Sequence, residues 1–340
     1  MANNNNSSKI WLYRWLLQRR QRQDSGFTLT EVLISVVIAG IVVTGLLTLV
    51  VELLRVDRRE IALERVQRDM QRAIDYVADD LKEAVYVYST PDTDIVDKIP
   101  ALKTELGTDA LPVLAFWRTE PIEDSLLPTT CGATDDVCQV AKTRRATYSL
   151  VVYYQDPVEA ADPWKGESVL RRFELPKYDN VSTFSVTPGY ADPVDDEDTN
   201  FETWTPDGTV NISGKTSVLV DYVHRIATPA SPTKPGEVAV NCRNLISSLN
   251  SPLTGETDVS ATQYDYELAP TGVTSTTGFF ACIRHPELSG GLRADQDVYL
   301  FLKGNAESAN EFLRPASDSS RLPVLQTQVK LGGVIDRDGE

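Results

Sequence analysis

The sequence predicts an α+β protein: a long N-terminal helix packed against an antiparallel β-sheet head with long loops. Three observations predict it. An uncharged run of 20 residues, Val32–Val51, is followed by an apolar stripe at helical spacing. Beyond residue 89 the apolar segments are short, rich in Val, Tyr, Phe and Leu, and partly alternating, as in half-buried strands. No helical segments alternate with them, so a doubly wound parallel sheet is excluded in favour of strands gathered on one helix.

The run Val32–Val51 reaches ~30 Å as a helix, about the thickness of a bilayer's hydrocarbon core. Further on, Val66, Met70, Ile74, Val77, Leu81 and Val85 keep one helical face apolar, while Arg65, Arg68, Asp69, Arg72, Asp75, Asp79 and Lys82 make the other polar. Ser89-Thr90-Pro91 ends the pattern. A helix from Thr28 to about Val87 would extend roughly 90 Å. Its first half, 27–52, is a membrane or filament stem; its second half, 53–88, is a spine under the head. Packing of the stripe against the head is expected rather than a coiled-coil partner.

The expected strands of the head, 89–340, are Val113–Arg118, Thr147–Tyr154, Ser168–Glu174, Ser217–His224, Phe279–Ile283, Val298–Lys303 and Val324–Lys330. Between them lie polar segments at 90–110, 119–145, 186–212, 228–277 and 304–323, long enough to carry function of their own. The 340 residues suffice for a sizeable core.

Charge divides the chain unevenly. The formal net charge is −16, yet residues 1–26 hold Lys9, Arg14, Arg19, Arg20 and Arg22 against Asp24 alone. The remainder carries −20, a surface that repels phosphate backbones and excludes nonspecific nucleic-acid binding. The basic N-terminal segment favours the cytoplasm and places the C-terminal part outside. Arg55, Arg58 and Arg59 weaken that asymmetry, and Glu52, Asp57 and Glu60 offset them.

Four cysteines, Cys131, Cys138, Cys242 and Cys282, lie downstream of the span. An even number in a translocated domain implies two disulfides. Three pairings are open to them; the local pair Cys131–Cys138 with the distal pair Cys242–Cys282 is the expectation, and buried free thiols are the alternative.

Catalytic constellations do not emerge. There are two histidines, His224 and His285, each expected to be a packing or surface residue, and no HExxH, GxSxG or P-loop pattern. No CxxC pair suggests zinc or redox chemistry. No enzyme activity and no cofactor are expected. Calcium takes carboxylate and carbonyl oxygens, which makes Asp195, Asp196 and Asp198, with Glu197 between them, weak candidates beside Asp92, Asp94 and Asp97. Neither run has EF-hand spacing, so solvated charge is the default. Trp117, Trp164 and Trp204 are stacking candidates for sugars, although such residues more often anchor cores and loops.

A secretory signal would end in a small-residue cleavage site after its apolar stretch. Here the cut-like feature precedes it: Ser25-Gly26-Phe27-Thr28-Leu29-Thr30-Glu31, between the basic segment and the span. This GFTLTE sequence, with its flanks, closely resembles the processing motif of type IV prepilins. The resemblance implies that residues 1–26 are a leader cleaved after Gly26 by a prepilin peptidase, which then N-methylates Phe27. It also implies that Glu31 pairs with the terminal amine of a neighbouring subunit and sets register in the filament. Physics agrees: a carboxylate costs ~2.5–3.5 kcal/mol at mid-span and less near the interface, so it persists with a cationic partner, and cleavage creates one. The alternative is that Glu31 only marks the cytoplasmic edge of an anchor. Many major pilins kink this helix with a proline; here Thr48 stands at that place and no proline occurs between Phe27 and Pro91, which leans toward a minor subunit.

Head segments resemble a narrower set. They include Asp75-Tyr76-Val77-Ala78-Asp79-Asp80-Leu81, Leu111-Pro112-Val113-Leu114-Ala115-Phe116-Trp117, Tyr148-Ser149-Leu150-Val151-Val152-Tyr153-Tyr154 and Phe280-Ala281-Cys282. In order and spacing they are similar to the cyanobacterial hormogonium polysaccharide secretion pseudopilins, in particular the longer PilW/PulJ-like member. That resemblance implies a structural subunit of a type IV pilus-like or type II secretion-like machine supporting polysaccharide export and gliding motility. Its implied partners are other minor and major pilins, the inner-membrane assembly platform and exported polysaccharide. Its implied location is the inner membrane, with the leader cytoplasmic and the head periplasmic, and then the pilus at the cell surface. A membrane-anchored glycan-binding module, or an anchored surface enzyme, is the alternative.

Overall fold

The computed structural model describes residues 26–331 except 98, 108, 124–126, 128–129, 133–134, 195–199, 209–211, 226–239, 243–244, 246–265, 275–276, 285–295 and 307–322. The chain divides into two compact units, residues 1–57 and 58–340.

In the first unit the described residues are the start of helix α1, Leu29–Lys82. From Leu29 to Leu54 every residue is exposed. Among the described residues α1 alone is long and apolar enough to cross a membrane. Its few hydroxyls are closed on the helix itself. Ser35 Oγ donates to the Glu31 carbonyl at 2.7 Å, Thr44 Oγ1 to Gly40 at 2.8 Å and Thr48 Oγ1 to Thr44 at 2.9 Å. Such back-bonding leaves no polar hydrogen facing an apolar surrounding.

The second unit contains the rest of α1 and the β-rich head. A five-stranded antiparallel sheet has the order β1-β2-β3-β4-β7. Its members are β1 (Ala84–Val87), β2 (Leu111–Pro121), β3 (Ala146–Pro157), β4 (Ser168–Leu175) and β7 (Lys215–Val223). A four-stranded antiparallel sheet, ordered β11-β10-β9-β8, is made of β8 (Tyr266–Ala269), β9 (Phe279–Arg284), β10 (Asp297–Leu302) and β11 (Leu325–Lys330). A small hairpin joins β5 (Tyr178–Asn180) to β6 (Ser185–Val186). Two short helices, α2 (Pro100–Leu106) and α3 (Asp136–Arg144), lie in connections.

The expected α+β class is thus present, with the strands in two sheets rather than one. Each of the seven expected strands is found, within a few residues of its expected ends. The helix stops at Lys82, short of the expected Val87, because Ala84-Val85-Tyr86-Val87 forms β1 and pairs with Arg118–Phe116 of β2. Val85 therefore leaves the helical stripe and packs on the opposite side of the sheet.

Period-two alternation explains how one helix serves two sheets. Val66, Met70, Ile74, Val77 and Leu81 share a core with Phe116, Val151, Tyr153 and Leu170 of the first sheet, and with Phe279, Ala281, Ile283, Val298 and Leu300 of the second. The reverse face of the first sheet, including Trp117, Val152, Tyr154 and Phe173, is covered by Ile95, Leu102, Tyr190, Phe201 and Trp204. The reverse face of the second holds Phe280, Cys282, Tyr299 and Phe301. Trp117 and Trp204 are buried, with ring centroids 5.2 Å apart; they are core anchors, not sugar platforms.

Two buried glutamines tie the sheets together. Gln155 of β3 donates to the His224 carbonyl at 2.6 Å and accepts the Phe279 N–H at 3.0 Å. Gln296 closes both hydrogen-bonding groups of Val87, donating to its carbonyl at 3.1 Å and accepting its N–H at 3.2 Å. At the same junction Gly278 lies against His224 and Val223, where a Cβ would strike the His224 carbonyl. Glycine is needed there for close approach of two backbones.

Both expected disulfides are present, Cys131–Cys138 and Cys242–Cys282. The first anchors the start of α3, whose N-cap Asp135 accepts the Cys138 N–H. The second ties the 40-residue separation between Cys242 and β9. Loop-closure entropy predicts a loss of about 4 kcal/mol on replacing the distal pair by serines and about 2.5 kcal/mol for the local pair. Denaturant unfolding of the two double variants checks that order.

Candidate functional site

The processing-type sequence begins the described residues. Gly26 has no neighbour where a Cβ would stand and no left-handed backbone, so nothing in the fold calls for glycine. Phe27 is 80% exposed. Thr28 caps α1: the Glu31 N–H approaches the Thr28 carbonyl at 3.0 Å and its Oγ1 at 3.3 Å. Threonine at the N-cap with glutamate three residues on is the capping-box pattern. Only the threonine half is made among the described residues, and the Glu31 carboxylate has no partner there. A carboxylate in the first turn is favoured by the helix dipole.

Gly40 and Gly45 lie within that helix. Neither meets any atom at its Cβ position. A mid-helix glycine costs about 1 kcal/mol relative to alanine, and no contact among the described residues compensates.

In the head, a charge cluster that sequence reasoning missed lies between α1 and the first sheet. Asp80 is 7% exposed. It accepts from Arg118 Nη1 at 3.0 Å, Arg172 Nε at 2.9 Å and Tyr153 Oη at 2.7 Å. Glu174 completes the set, accepting Arg118 Nη2 at 2.7 Å and Arg172 Nη1 at 2.6 Å. Burial opposes the charge on Arg172, but its bonds to Glu174 and Asp80 prevail and raise its pKa. Burial likewise works against the Glu174 carboxylate, and the two guanidiniums nevertheless hold it below its ordinary range. Burial, then the Asp80 charge, pushes the Tyr153 phenol far up. Every group has a fixed counter-charge, so the cluster fastens helix to sheet rather than presenting a reactive group. The sequence signal was slight: an acid flanking the apolar stripe, three residues after Val77.

His224 is also buried. Its Nδ1 lies 2.7 Å from Glu167 Oε2, which accepts the Arg225 N–H at 2.8 Å. Burial works against the Glu167 charge, yet bonds from His224 and Asn305 bring its pKa down to about 2. His224 is thus a packing residue, as expected. His285 lies outside the described residues, as do the calcium candidates Asp195, Asp196 and Asp198. The carboxylates at 92–97 serve the local fold. Asp92 accepts the Thr271 hydroxyl at 2.6 Å, Asp94 the Thr90 N–H at 2.9 Å, and Asp97 meets Lys103 at 2.6 Å.

Residues 21–47 match the family described as the prokaryotic N-terminal methylation motif. The match covers Arg22 of the basic flank, Gly26–Glu31 and most of the apolar run, and does not extend into the head. No curated protein and no solved structure matches the chain. The chain thus carries a prokaryotic N-terminal methylation motif at 21–47, at the start of a helix whose first half is apolar and exposed and whose second half carries antiparallel sheets.

Proposed function

We propose that the chain is a minor pilin or pseudopilin, cleaved after Gly26, N-methylated on Phe27 and drawn from the inner membrane into a filament through residues 27–52. Glu31 neutralises the new terminal amine of a neighbouring subunit in the apolar filament core. A buried pair of this kind specifies register more dependably than it adds net stability. The observation that carries the reading is the Glu31 carboxylate, unpartnered among the described residues at the start of a helix whose apolar first half is exposed throughout. Gly26 supports it, since the fold has no use for a glycine there and a peptidase acting on an extended segment does. Gly40 and Gly45 support it too. Small residues without contacts inside the chain allow close helix–helix approach between chains.

The head is periplasmic and later surface-exposed, which suits two disulfides. Its size favours a low-copy place at a filament tip, where it primes assembly with other minor pilins on the inner-membrane platform. The order of the head segments around Asp75–Leu81, Leu111–Trp117 and Tyr148–Tyr154 favours a machine for polysaccharide secretion and gliding motility.

Mass spectrometry of the mature N-terminus from native membranes tests the processing step. A chain starting at N-methylated Phe27 is expected. An intact leader in cells with active prepilin peptidase would identify a plain anchor instead.

A further inference from the structure

An open groove of about 440 Å³ runs between α1 and β7, within the range of small-ligand sites. One wall is a stripe of α1 bearing Asp69, Arg72 and Tyr76; the other is the run Val218–Asp221 of β7, with Trp164 at the rim. Trp164 comes from the connection between β3 and β4 and is 38% exposed; Tyr76 is 49% exposed. Among the described residues neither ring stacks on another ring, and the indole N–H has no partner.

The Trp164 connection is pinned rather than loose. The Tyr222 N–H donates to the Lys165 carbonyl at 3.1 Å, and the Lys165 N–H approaches Asp221 Oδ2 at 3.4 Å. Gly166 has φ +98°, and a Cβ there would come within 2.6 Å of the Tyr222 Cα. The chain holds a large exposed aromatic in one place, although the hydrophobic effect alone would bury it. That is pre-organisation for a ligand.

We propose that this groove binds a neutral oligosaccharide, with pyranose faces on Trp164 and Tyr76 and sugar hydroxyls bonded to Asp69, Asp221 and Arg72. A sugar ring has an apolar C–H face and a rim of hydroxyls, the same combination of surfaces that the groove offers. Arg72 lies 3.5 Å from Asp69, and Asp221 adds a further negative charge on a chain already carrying −20 beyond residue 26, a balance that disfavours an anionic polymer. An added peptide strand is disfavoured because the β4–β7 register shifts twice between Ser168 and Arg171, and such bulges break the regular edge a strand needs. An apolar helix would leave Asp69, Arg72 and Asp221 desolvated beneath it.

The site stands on the head alone and goes beyond the assembly reading. The test uses the full-length protein in lipid nanodiscs free of sugar-headed detergent. Cellohexaose and maltohexaose are titrated against a polygalacturonate hexamer by saturation-transfer NMR. At least one neutral hexaose is expected to bind saturably, and the anionic hexamer much more weakly. Trp164→Ala and Tyr76→Ala should each weaken binding about tenfold or more with unchanged thermal unfolding, and Trp164→Phe should retain most of it. Glu31→Val should bind sugar normally, which separates this site from the assembly reading. No binding of either neutral hexaose at millimolar concentration, or an unaffected Trp164→Ala, overturns the proposal. So does a photo-crosslinker at position 164 that captures another pilin in native membranes, which would make the groove a subunit interface.

Discussion

Glu31→Val is expected to abolish incorporation into filaments while leaving the head folded. The side chain lies at the start of α1, in the first unit, whereas the residues of the helix that belong to the head's core begin at Leu63 and Val66 in the second. Its removal therefore leaves the packing, the disulfides and the Asp80 cluster untouched. What it removes is the only negative charge between Phe27 and Val51. A terminal ammonium brought into an apolar assembly without a counter-charge faces a desolvation penalty of several kcal/mol, corresponding to a loss of at least a hundredfold in incorporation. The membrane form should even gain, since an apolar residue replaces a carboxylate at the edge of the span. The expected result is normal abundance in the membrane fraction, normal cleavage, and absence from sheared filaments. A Glu31→Val chain that enters filaments at the wild-type level would end the electrostatic account of register. Glu31→Asp, which keeps the charge on a shorter arm, should restore part of it.

Asp80→Leu should be the most damaging single change in the head. Two guanidiniums and a phenol converge on this carboxylate. The leucine leaves Arg118 and Arg172 with Glu174 as the one shared acid in the buried part of the cluster, while Glu83, 3.2 Å from Arg118, is largely exposed. Breaking one partner out of a buried pair costs about 3–5 kcal/mol, and the Tyr153 hydroxyl adds an unsatisfied donor of about 1–3 kcal/mol. A fall in melting temperature of about 10 °C or more is expected, read by thermal unfolding of the full chain with its disulfides intact. Asp80→Asn keeps two of the acceptor geometries and should fall between. An Asp80→Leu protein melting within about 2 °C of wild type would show that the cluster is electrostatically idle.

Much of this architecture was legible before any coordinates. The span, the stripe from Val66 to Leu81 and the seven strands follow from local periodicity, which the chain expresses in every window. The even cysteine count made two disulfides legible but left three pairings open; the expected local and distal pairs are the ones found. The end of α1 was misread for a physical reason: Val85 continues the four-residue spacing of the stripe, yet Ala84-Val85-Tyr86-Val87 is β-branched and aromatic and finds β2 as a partner. The short β8 and the helices α2 and α3 carry only four, seven and nine residues, too few for a periodic signal. Assignment of strands to two sheets, and convergence of Asp80, Arg118, Tyr153, Arg172 and Glu174, depend on contacts between residues far apart in sequence. The motif at Gly26–Glu31 was legible for the opposite reason, since its meaning lies in a short run that other molecules read.

The helical stripe that both sheets lean on has a consequence for biogenesis. Its residues are made long before Val329 and Leu331, which close the same core. Until β11 has been made, the apolar face from Val66 to Leu81 is incompletely covered. Local contacts cannot shield it, and closing a core across some 260 residues is slow. A chain with this layout needs protection while it folds. Loss of β11 would be felt at the helical stripe, far along the sequence from the strand removed.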